Sequence, residues 1–558
     1  VHKKFASGDD KQARADMESV FRSFFNGVTT PSKIHYRKIQ QAAINHMIKA
    51  LEAGHYCLAL AIATGGGKTI LGLQFLIQLR RLGKIKNGDV AALVSPNKDA
   101  QQSFIDDVNK FYRNDFNIIT QDELLSGKRK LTKDKINLLL VGTHWLSKES
   151  EGSKNYDRLC KEYGDGLSGV KAFVFDEAHR AFFGKNKTNQ TEKIAKEIMS
   201  HNPYTLWLSG TAATLLANLR ENGWLRDDGE FCFTLAQLLA DRGYVDPDLP
   251  KLKYHVLGEL PEFPDENIED LLTMDKLLNN KNCNQLRKFL ENVFFKTRGL
   301  CLLGNRDHIV ISVNSREQVF LVKKLLDLLC KKKEYSHFKD VSIIPVTGSH
   351  SQTVTDLNDY KLKIEDEECD QSITITCERW LEAVNVPQWD TLLLMNKIGT
   401  YEFNFQAYGR LLRVFEGKDT VHIYDCLPNR HLQFFFDLEK ELQAASQSFT
   451  EWSRKKIHSL VPVFFHDVNF QKTQLDFETF EKEMSEFIYS LRSDNFWSDS
   501  DFNLDVVGSS LENINVGNRG GATRILLEVS NGKSGKDLEI KKLLNNNGLE
   551  VENDNNKL

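Results

Sequence analysis

The amino-acid sequence predicts an α/β protein with two tandem doubly wound parallel-sheet lobes and a mostly helical C-terminal region. Two observations carry this prediction. Continuous apolar runs at 89–96, 136–143 and 170–177 alternate with helical segments, and such runs are typical of parallel strands that helices cover on both faces. A second series of strands and helices starts at residue 307. With 558 residues, the chain is long enough for about three or four domains.

The first lobe is predicted over residues 34–245, after a polar arm at 1–33. Its first element is a helix over 36–53, where apolar residues recur on one face. The segment CLALAIATGGGKT at 57–69 reads as a buried strand followed by a glycine loop, and the next helix, over 70–83, ends at a glycine. The other strands of this lobe are predicted at 89–96, 136–143, 170–177 and 204–211.

Residues 246–300 are predicted to connect the lobes, because prolines and acids in 251–270 interrupt the alternation. The second lobe is predicted over 301–430. Its strands are expected at 307–315, 341–347, 372–377, 390–395 and 420–426, with a helix over 316–332. Residues 431–497 form a helical accessory region, and the Asn-, Ser-, Gly- and Asp-rich tail at 498–558 is expected to be partly disordered.

The composition is that of an ordinary globular protein. Hydrophobic residues make up 41%, charged residues 27%, and the formal net charge is −4. These values exclude a collagen, a wholly disordered chain and a small, highly basic nucleic-acid clamp. The nine cysteines show no CxxC pair and no zinc-ligand spacing, so we expect free thiols and a reducing, cytoplasmic location.

Membrane association is not expected from the sequence. No apolar run reaches the roughly 18 residues of a membrane helix, and the N-terminal segment VHKKFASGDD lacks the apolar core of a signal peptide. The first residue is Val rather than Met, which fits a processed product or a fragment of a longer protein.

A glycine-rich loop joins the first predicted strand to the next helix. It consists of Thr64, Gly65, Gly66, Gly67, Lys68 and Thr69. In this context the loop predicts a site for the phosphates of ATP, because glycines let successive backbone N–H groups curl around phosphate oxygens. Lys68 is expected to reach the β- and γ-phosphates, and the Thr69 hydroxyl is expected to ligate Mg²⁺. The glycine four residues before the Gly-Lys pair is missing, so the loop is a shorter variant.

Two carboxylates, Asp176 and Glu177, end the strand predicted at 170–177. The carboxyl end of a strand beside a phosphate loop is where Mg²⁺ is held. We therefore expect Asp176 to bind the metal, directly or through water, and Glu177 to act as the general base on the attacking water. His179 is expected to couple this site to the neighbouring lobe.

Together, the GGGKT loop and the sequence Asp-Glu-Ala-His at 176–179 resemble superfamily 2 DEAD/DEAH-box helicases and translocases, in particular the ResIII-like motor subunits of type I and type III restriction enzymes. The resemblance covers roughly residues 34–430 and implies two RecA-like lobes. Arg37-Lys38-Ile39-Gln40 is similar to the family element that contacts adenine, which implies nucleotide-binding roles for Arg37 and Gln40.

Other segments resemble the remaining motifs of this family. Ser209-Gly210-Thr211 is similar to the motif that links hydrolysis to strand contact, which implies coupling roles for Ser209 and Thr211. The segment 406–413, QAYGRLLR, is similar to the motif that supplies arginine fingers, so the resemblance implies that Arg410 and Arg413 are the fingers and that Gln406 supports them. Polar residues in the loops that follow strands are candidates for nucleic-acid contact: Ser95, Asn97, Thr143, Thr347 and Thr376.

One segment departs from the family pattern. Ala383 stands where the family usually has Gly, and Asn385 stands where it has Asp. An amide can hydrogen-bond but carries no charge, so coupling between the second lobe and the nucleotide is expected to be weaker.

The resemblance implies an ATP-dependent translocase or helicase with ATP and Mg²⁺ as cofactors and nucleic acid as partner, in restriction, anti-phage defence or a mobile element. The Arg37–Gln40 element and the His179-Arg180 continuation favour DNA over RNA. No convincing nuclease pattern is present, so a nuclease or another defence or replication subunit is expected on a missing segment or a separate chain. Two alternatives stay open: an RNA helicase, and a nucleotide-gated binding subunit with little turnover.

Overall fold

The computed structural model describes part of the chain. The described residues are 34–95, 98–121, 123, 131–143, 146, 149–150, 153–154, 169–178, 189–226, 228–258, 260–266, 271–338, 340–347, 360, 364, 371–377, 386–396, 401–445 and 453–493. The predicted arm at 1–33 and the tail at 498–558 lie outside these residues, as do Asn97, His179, Ala383 and Asn385.

The first lobe contains a seven-stranded, fully parallel sheet with the order β3-β4-β2-β7-β8-β1-β9. Its strands are β1 (Cys57–Ile62), β2 (Val90–Ser95), β3 (Phe116–Thr120), β4 (Ile136–Gly142), β7 (Val170–Phe175), β8 (Tyr204–Ser209) and β9 (Glu230–Phe233). Two-residue strands β5 (Glu149–Ser150) and β6 (Ser153–Lys154) form a separate antiparallel pair. The helices are α1 (Lys38–Glu52), α2 (Lys68–Arg81), α3 (Lys98–Asp107), α4 (Asn189–Ser200), α5 (Ala213–Glu221), α6 (Leu235–Ala240) and α7 (Arg242–Val245), with a π-helical turn at Val108–Tyr112.

The second lobe contains an eight-stranded sheet with the order β12-β13-β11-β14-β15-β10-β16-β17, parallel except for the last pair. Its strands are β10 (Lys251–Val256), β11 (His308–Ser312), β12 (Ser342–Val346), β13 (Ser372–Thr376), β14 (Thr391–Leu394), β15 (Thr420–Asp425), β16 (Val463–His466) and β17 (Lys472–Gln474). The helices are α8 (Met274–Asn279), α9 (Lys281–Phe294), α10 (Leu302–Asn305), α11 (Arg316–Cys330), α12 (Tyr401–Leu411), α13 (Arg430–Ala444), α14 (Arg454–Leu460) and α15 (Phe477–Ser493), with a 3₁₀ segment at Lys333–Phe338.

The predicted fold class is confirmed, since both sheets are dominated by parallel strands with flanking helices. The parallel strands of the first lobe read as continuous apolar runs because both of their faces are buried, as in β1 and β2. One hydrophobic cluster includes residues from both lobes, for example Leu58 of β1 and Ile423 of β15. The two lobes are therefore packed against each other through a shared apolar core.

The prediction that 246–300 only connects the lobes is wrong for residues 251–256. They form β10, which pairs in parallel with β15 on one side and with β16 on the other. The sequence KLKYHV alternates: Leu252, Tyr254 and Val256 are buried in the core cluster, while Lys251 and Lys253 lie on the opposite face. The prolines that suggested a connector lie outside this strand, where they do not interrupt its hydrogen bonds.

The prediction that 431–497 is helical is also incomplete. Helices α13, α14 and α15 account for most of this region, but β16 and β17 form an antiparallel pair within it. This pair extends the second sheet beyond β10. Short edge strands of three or four residues carry too little periodicity to stand out from neighbouring helical patterns.

Two further observations concern membrane helices and cysteines. In the parts of the chain that the structure describes, no helix combines the length and the apolar character needed to cross a membrane. The cysteines among these residues are all free thiols.

Candidate nucleotide site between the two lobes

The glycine loop lies between β1 and α2, and its backbone requires glycine. Gly65 and Gly67 have φ values of +104° and +85°, a region that side chains with a Cβ rarely adopt. A Cβ on Gly66 would lie 2.3 Å from Cγ2 of Ile62, and a Cβ on Gly67 would lie 2.1 Å from Nε2 of Gln40. The loop is therefore shaped as a backbone cradle at the N-terminus of α2, the geometry that suits phosphate.

Arg37 and Gln40 hold this loop from the start of α1. The Arg37 guanidinium donates a hydrogen bond to the Gly65 carbonyl at 2.9 Å. The backbone N–H of Arg37 donates to Oε1 of Gln40, also at 2.9 Å. Arg37 forms an ion pair with Asp246 at 3.4 Å as well, a partner that the sequence did not suggest. Their predicted contact with adenine stays a prediction, but both residues lie against the loop.

The two carboxylates lie directly after β7 and face the loop. Lys68 Nζ is 3.2 Å from Oε1 of Glu177, and Glu177 has a left-handed backbone with φ of 47°. Asp176 is buried, and burial together with the adjacent Glu177 raises its pKa to about 7. Thr69, at the start of α2, is half-buried. The carboxylates of Asp176 and Glu177 repel each other, and a divalent cation would relieve this repulsion. Together with the Thr69 hydroxyl they are oxygen ligands of the kind that such a cation prefers.

The second lobe contributes helix α12 to the same site. Gln406 donates a hydrogen bond from Nε2 to Oε2 of Glu177 at 3.0 Å. Arg410 is buried, and burial lowers its pKa below the usual value, although the nearby Glu177 and Asp176 charges partly offset this effect. Arg413 follows the end of α12, and its pKa falls to about 9 because of burial and the neighbouring Arg410 and Arg37 guanidinium groups. Both predicted fingers thus point into the space beside the glycine loop and the carboxylates.

Close backbone packing brings the two lobes together at Thr64 and Gly409. A Cβ on Gly409 would lie 2.5 Å from Cβ of Thr64. Any residue other than glycine at position 409 would therefore prevent α12 from approaching the loop this closely. On the other side of the loop, a Cβ on Gly210 would lie 3.1 Å from Lys68 Nζ and 3.3 Å from Thr64 Oγ1. The Ser-Gly-Thr segment at 209–211 therefore borders the same cradle.

Ser209 and Thr211 are buried and bonded to each other. The backbone N–H of Thr211 donates to Oγ of Ser209 at 3.0 Å, and the two hydroxyl oxygens are 3.3 Å apart. Immediately after them, the backbone N–H groups of Ala212 and Ala213 both donate to the carboxylate of Glu441. Glu441 is buried on α13, which follows β15 of the second lobe. It therefore links the predicted coupling segment to the second lobe.

Glu441 and Lys418 are residues that the sequence did not single out. Lys418 is buried and donates hydrogen bonds to the carbonyl of Leu411 at 3.1 Å, to that of Trp389 at 3.2 Å, and to that of Pro387. It therefore holds the C-terminal end of α12, close to Arg413. Neither residue lies in a recognisable motif, and each depends on partners that are distant in sequence.

The residues predicted to contact nucleic acid are buried where they are described. The exposed fraction is 0% for Ser95, 5% for Thr143, 1% for Thr347 and 0% for Thr376. These residues lie at or next to the ends of parallel β-strands inside the two lobes. Their side chains are therefore not accessible to a nucleic-acid strand in this arrangement. Their role as contact residues stays a prediction, and it would require the adjoining backbone or a rearrangement of the strand ends.

Comparison with known proteins gives a family match for most of the first lobe. Residues 33–214 match the family ResIII, described as "Type III restriction enzyme, res subunit". No curated protein matches the sequence. Among solved structures, one similar chain is the "ATP-dependent Type ISP restriction-modification enzyme LlaBIII bound to DNA", with a TM-score of 0.54 and 13% identity over 92% of this chain and 40% of that one. At this identity the likeness concerns the fold alone.

A second similar structure is a fragment described as an HsdR subunit of a type I restriction enzyme from Vibrio vulnificus YJ016. Its TM-score is 0.44 and its identity 17%, over 70% of this chain and 64% of that one. The chain therefore spans less than two thirds of the length of either structure. The resemblance carried by the motifs is confirmed over residues 33–214, which match the family model of the type III restriction enzyme res subunit.

Proposed function

We propose that the chain is an ATP-dependent translocase or helicase that couples ATP hydrolysis to movement along DNA or to its unwinding. The observation that carries this proposal is the convergence of both lobes on one cradle. Lys68 and Glu177 come from the first lobe, and Gln406, Arg410 and Arg413 come from the second. A structural core would not require this set of charged groups between two lobes, whereas phosphoryl transfer does.

The residues of the cradle suit distinct tasks in ATP hydrolysis. The loop N–H groups and Lys68 would bind the phosphates, and Thr69 with Asp176 would hold Mg²⁺. Bound Mg²⁺ supplies charge neutralisation on the phosphate oxygens. Glu177 would accept a proton from the attacking water, and the hydrogen bond from Gln406 would hold its carboxylate in position.

Hydrolysis would depend on lobe closure, because Arg410 lies on α12, Arg413 lies just after it, and the phosphate loop is on the other lobe. An arginine finger contributes on the order of 10³–10⁵ in rate. Any ligand that favours the closed arrangement would therefore accelerate turnover, and opening after hydrolysis would release it. A strand bound across both lobes would in this way be advanced with each cycle.

DNA is the proposed track. The motif pattern around Arg37 and His179 favours DNA, and the type ISP restriction-modification enzyme that shares this fold was solved bound to DNA. We further propose that the chain works with a nuclease or another subunit in restriction, defence or a mobile element, since it spans only 40% of that enzyme's chain.

The test is ATP hydrolysis by the wild type, Lys68→Ala and Arg413→Ala, titrated with single-stranded DNA, duplex DNA and RNA. We expect stimulation by DNA, near-complete loss in Lys68→Ala and a loss of about 10³-fold or more in Arg413→Ala. A matched control is Arg298→Ala, because Arg298 is exposed in the second lobe. Stimulation by RNA alone would instead support an RNA helicase, and absence of turnover would support a nucleotide-gated binding subunit.

A further inference from the structure

One face of the second sheet carries rings and cations on β10, β15, β16 and β17. Side chains alternate between the faces of a strand, and the register places Lys253 opposite His422 and His255 opposite Phe464. The other face of these strands packs into the main core through Leu252, Tyr254, Val421, Ile423 and Val463. The ring-bearing face includes half-exposed residues such as Phe464 and an exposed residue, Lys472.

Three imidazoles form a continuous row on this face. Nδ1 of His255 is 3.0 Å from Nε2 of His466, and Nε2 of His255 is 3.0 Å from Nδ1 of His422. The His255 ring also stacks on Tyr424 and Phe464, with centroids 4.4 and 5.2 Å apart. Among the described residues, no group of three or more His, Cys, Asp or Glu side chains has an arrangement that could hold a metal ion.

The imidazoles of this row are neutral near pH 7. Burial and the neighbouring His422 lower the pKa of His255 to about 2, and burial with the Arg306 and Lys253 charges lowers the pKa of His422 to about 3. The row therefore acts as a flat, uncharged aromatic layer beneath the cations.

Three cations converge on this layer. Lys472 Nζ lies 3.7 Å from the centroid of the Phe464 ring, and its pKa is lowered by burial and by the charges of Lys253 and Arg306. In the part of the chain that is described, none of the three forms an ion pair with a carboxylate. Among the described residues, Nε of Arg306 is buried without a hydrogen-bond partner, while its guanidinium group also hydrogen-bonds the Tyr424 side chain. Clustered like charges that form no ion pair with a carboxylate among the described residues attract an anion from outside.

We propose that the face formed by Lys253, Arg306, Lys472 and the rings beneath them binds the phosphodiester backbone of a nucleic-acid strand. Arginine and lysine are the side chains that bind phosphate. Lys472 is exposed, and Lys253 and Arg306 are half-buried, so these cations are accessible to a phosphate backbone. The His255, His422 and Tyr424 rings are buried and support the cations from below. The strands involved, β10, β16 and β17, carry none of the helicase motifs, so this surface is separate from the predicted contact residues. The inference deepens the proposed function, because it presumes a nucleic-acid track.

The test is binding of a fluorescein-labelled DNA duplex, measured by fluorescence anisotropy without nucleotide over a series of KCl concentrations. The Lys253→Ala/Lys472→Ala double variant should bind more weakly than the wild type. The slope of log K against log[salt] should decrease by about 1.8, because each lost phosphate contact removes about 0.9. The Lys253→Arg/Lys472→Arg variant keeps both charges and should bind like the wild type. Weak binding by this variant would mean that changing these two positions disturbs the fold.

The matched control removes two charges elsewhere in the same lobe. Lys331 and Lys333 are both exposed after α11, so Lys331→Ala/Lys333→Ala changes the net charge equally and should leave the slope unchanged. The inference would be overturned if both double variants weakened binding equally. It would also be overturned if the wild type did not bind the duplex. The motor proposal is tested separately by Lys68→Ala: if that variant hydrolyses ATP normally while the surface variant still loses affinity, only the motor proposal fails. The same measurement with an RNA duplex tells whether this surface binds DNA, RNA or both.

Discussion

Gln406 in the second lobe donates a hydrogen bond to Glu177 in the first, with Nε2 and Oε2 3.0 Å apart. The same carboxylate is 3.2 Å from Lys68 on its other oxygen. Glu177 is thus held between the phosphate-loop lysine and the second lobe. If Glu177 is the general base that we propose, its position depends on whether the lobes are closed, and this would link the proposed chemistry to the proposed movement.

The first prediction concerns this contact. Replacing Gln406 with Ala frees the Glu177 carboxylate but leaves it beside Lys68, so we expect kcat to fall on the order of tenfold, while Glu177→Gln removes the base and lowers kcat by about 10²–10⁴. Steady-state ATP hydrolysis measures both. Gln102→Ala, at an exposed position on α3, is the matched control. Unchanged turnover in Gln406→Ala would show that the base needs no support from the second lobe.

The second prediction concerns the close approach of the lobes at Gly409. An added Cβ would meet Cβ of Thr64 at 2.5 Å, so Gly409→Ala should keep the lobes from closing. We expect ATP hydrolysis to fall at least tenfold while the melting temperature stays near that of the wild type. Gly243→Ala is the control, because the nearest atom that its added Cβ would meet is 3.7 Å away. A fully active Gly409→Ala protein would contradict the closed arrangement as the active one.

The third prediction concerns Glu441, which accepts hydrogen bonds from two backbone N–H groups at the start of α5. Glu441→Ala leaves these donors unsatisfied, so the free energy of unfolding should fall by about 1–3 kcal/mol. Because the link to the coupling segment is lost, stimulation by nucleic acid should fall more than basal hydrolysis. Urea unfolding and stimulated ATPase assays check this, with the exposed Glu416→Ala as control. Equal stability of both variants would argue against the link.

The fourth prediction concerns acid stability. In the folded protein the pKa values of His255 and His422 are about 2 and 3, whereas an unfolded histidine titrates near 6.5. Between these values the unfolded chain binds more protons, so stability is fully present above about pH 6.5 and decreases as the pH falls. At pH 5 each imidazole should cost about 2 kcal/mol.

The measurement is the free energy of unfolding at pH 7.5 and pH 5.0, for the wild type and for the His255→Phe/His422→Phe variant. The variant keeps the stacked rings but cannot take up protons, so it should lose less stability on acidification. An identical decrease in both proteins would mean that other groups cause the acid sensitivity.

Several parts of the fold and site were determined by the sequence alone. The glycine loop and the carboxylate pair after β7 were predicted because each depends on local features: a glycine run between a strand and a helix, and an apolar run that ends in acids. Arg410 and Arg413 were predicted because the short segment 406–413 resembles a motif of a known family. The two-lobed fold class followed from continuous apolar runs, which any parallel strand covered on both faces must have.

Other parts were decided only by the tertiary structure. The strand at 251–256 joins the second sheet by pairing with β15 and β16. Both partners lie more than 160 residues further along the chain, so the local sequence could not reveal the pairing. Glu441 caps a helix that begins 228 residues earlier, and the histidine row unites β10 with β15 and β16. Contacts of this kind arise from packing between distant segments, and no local pattern of residue types encodes which distant partner a strand edge or a buried charge will meet.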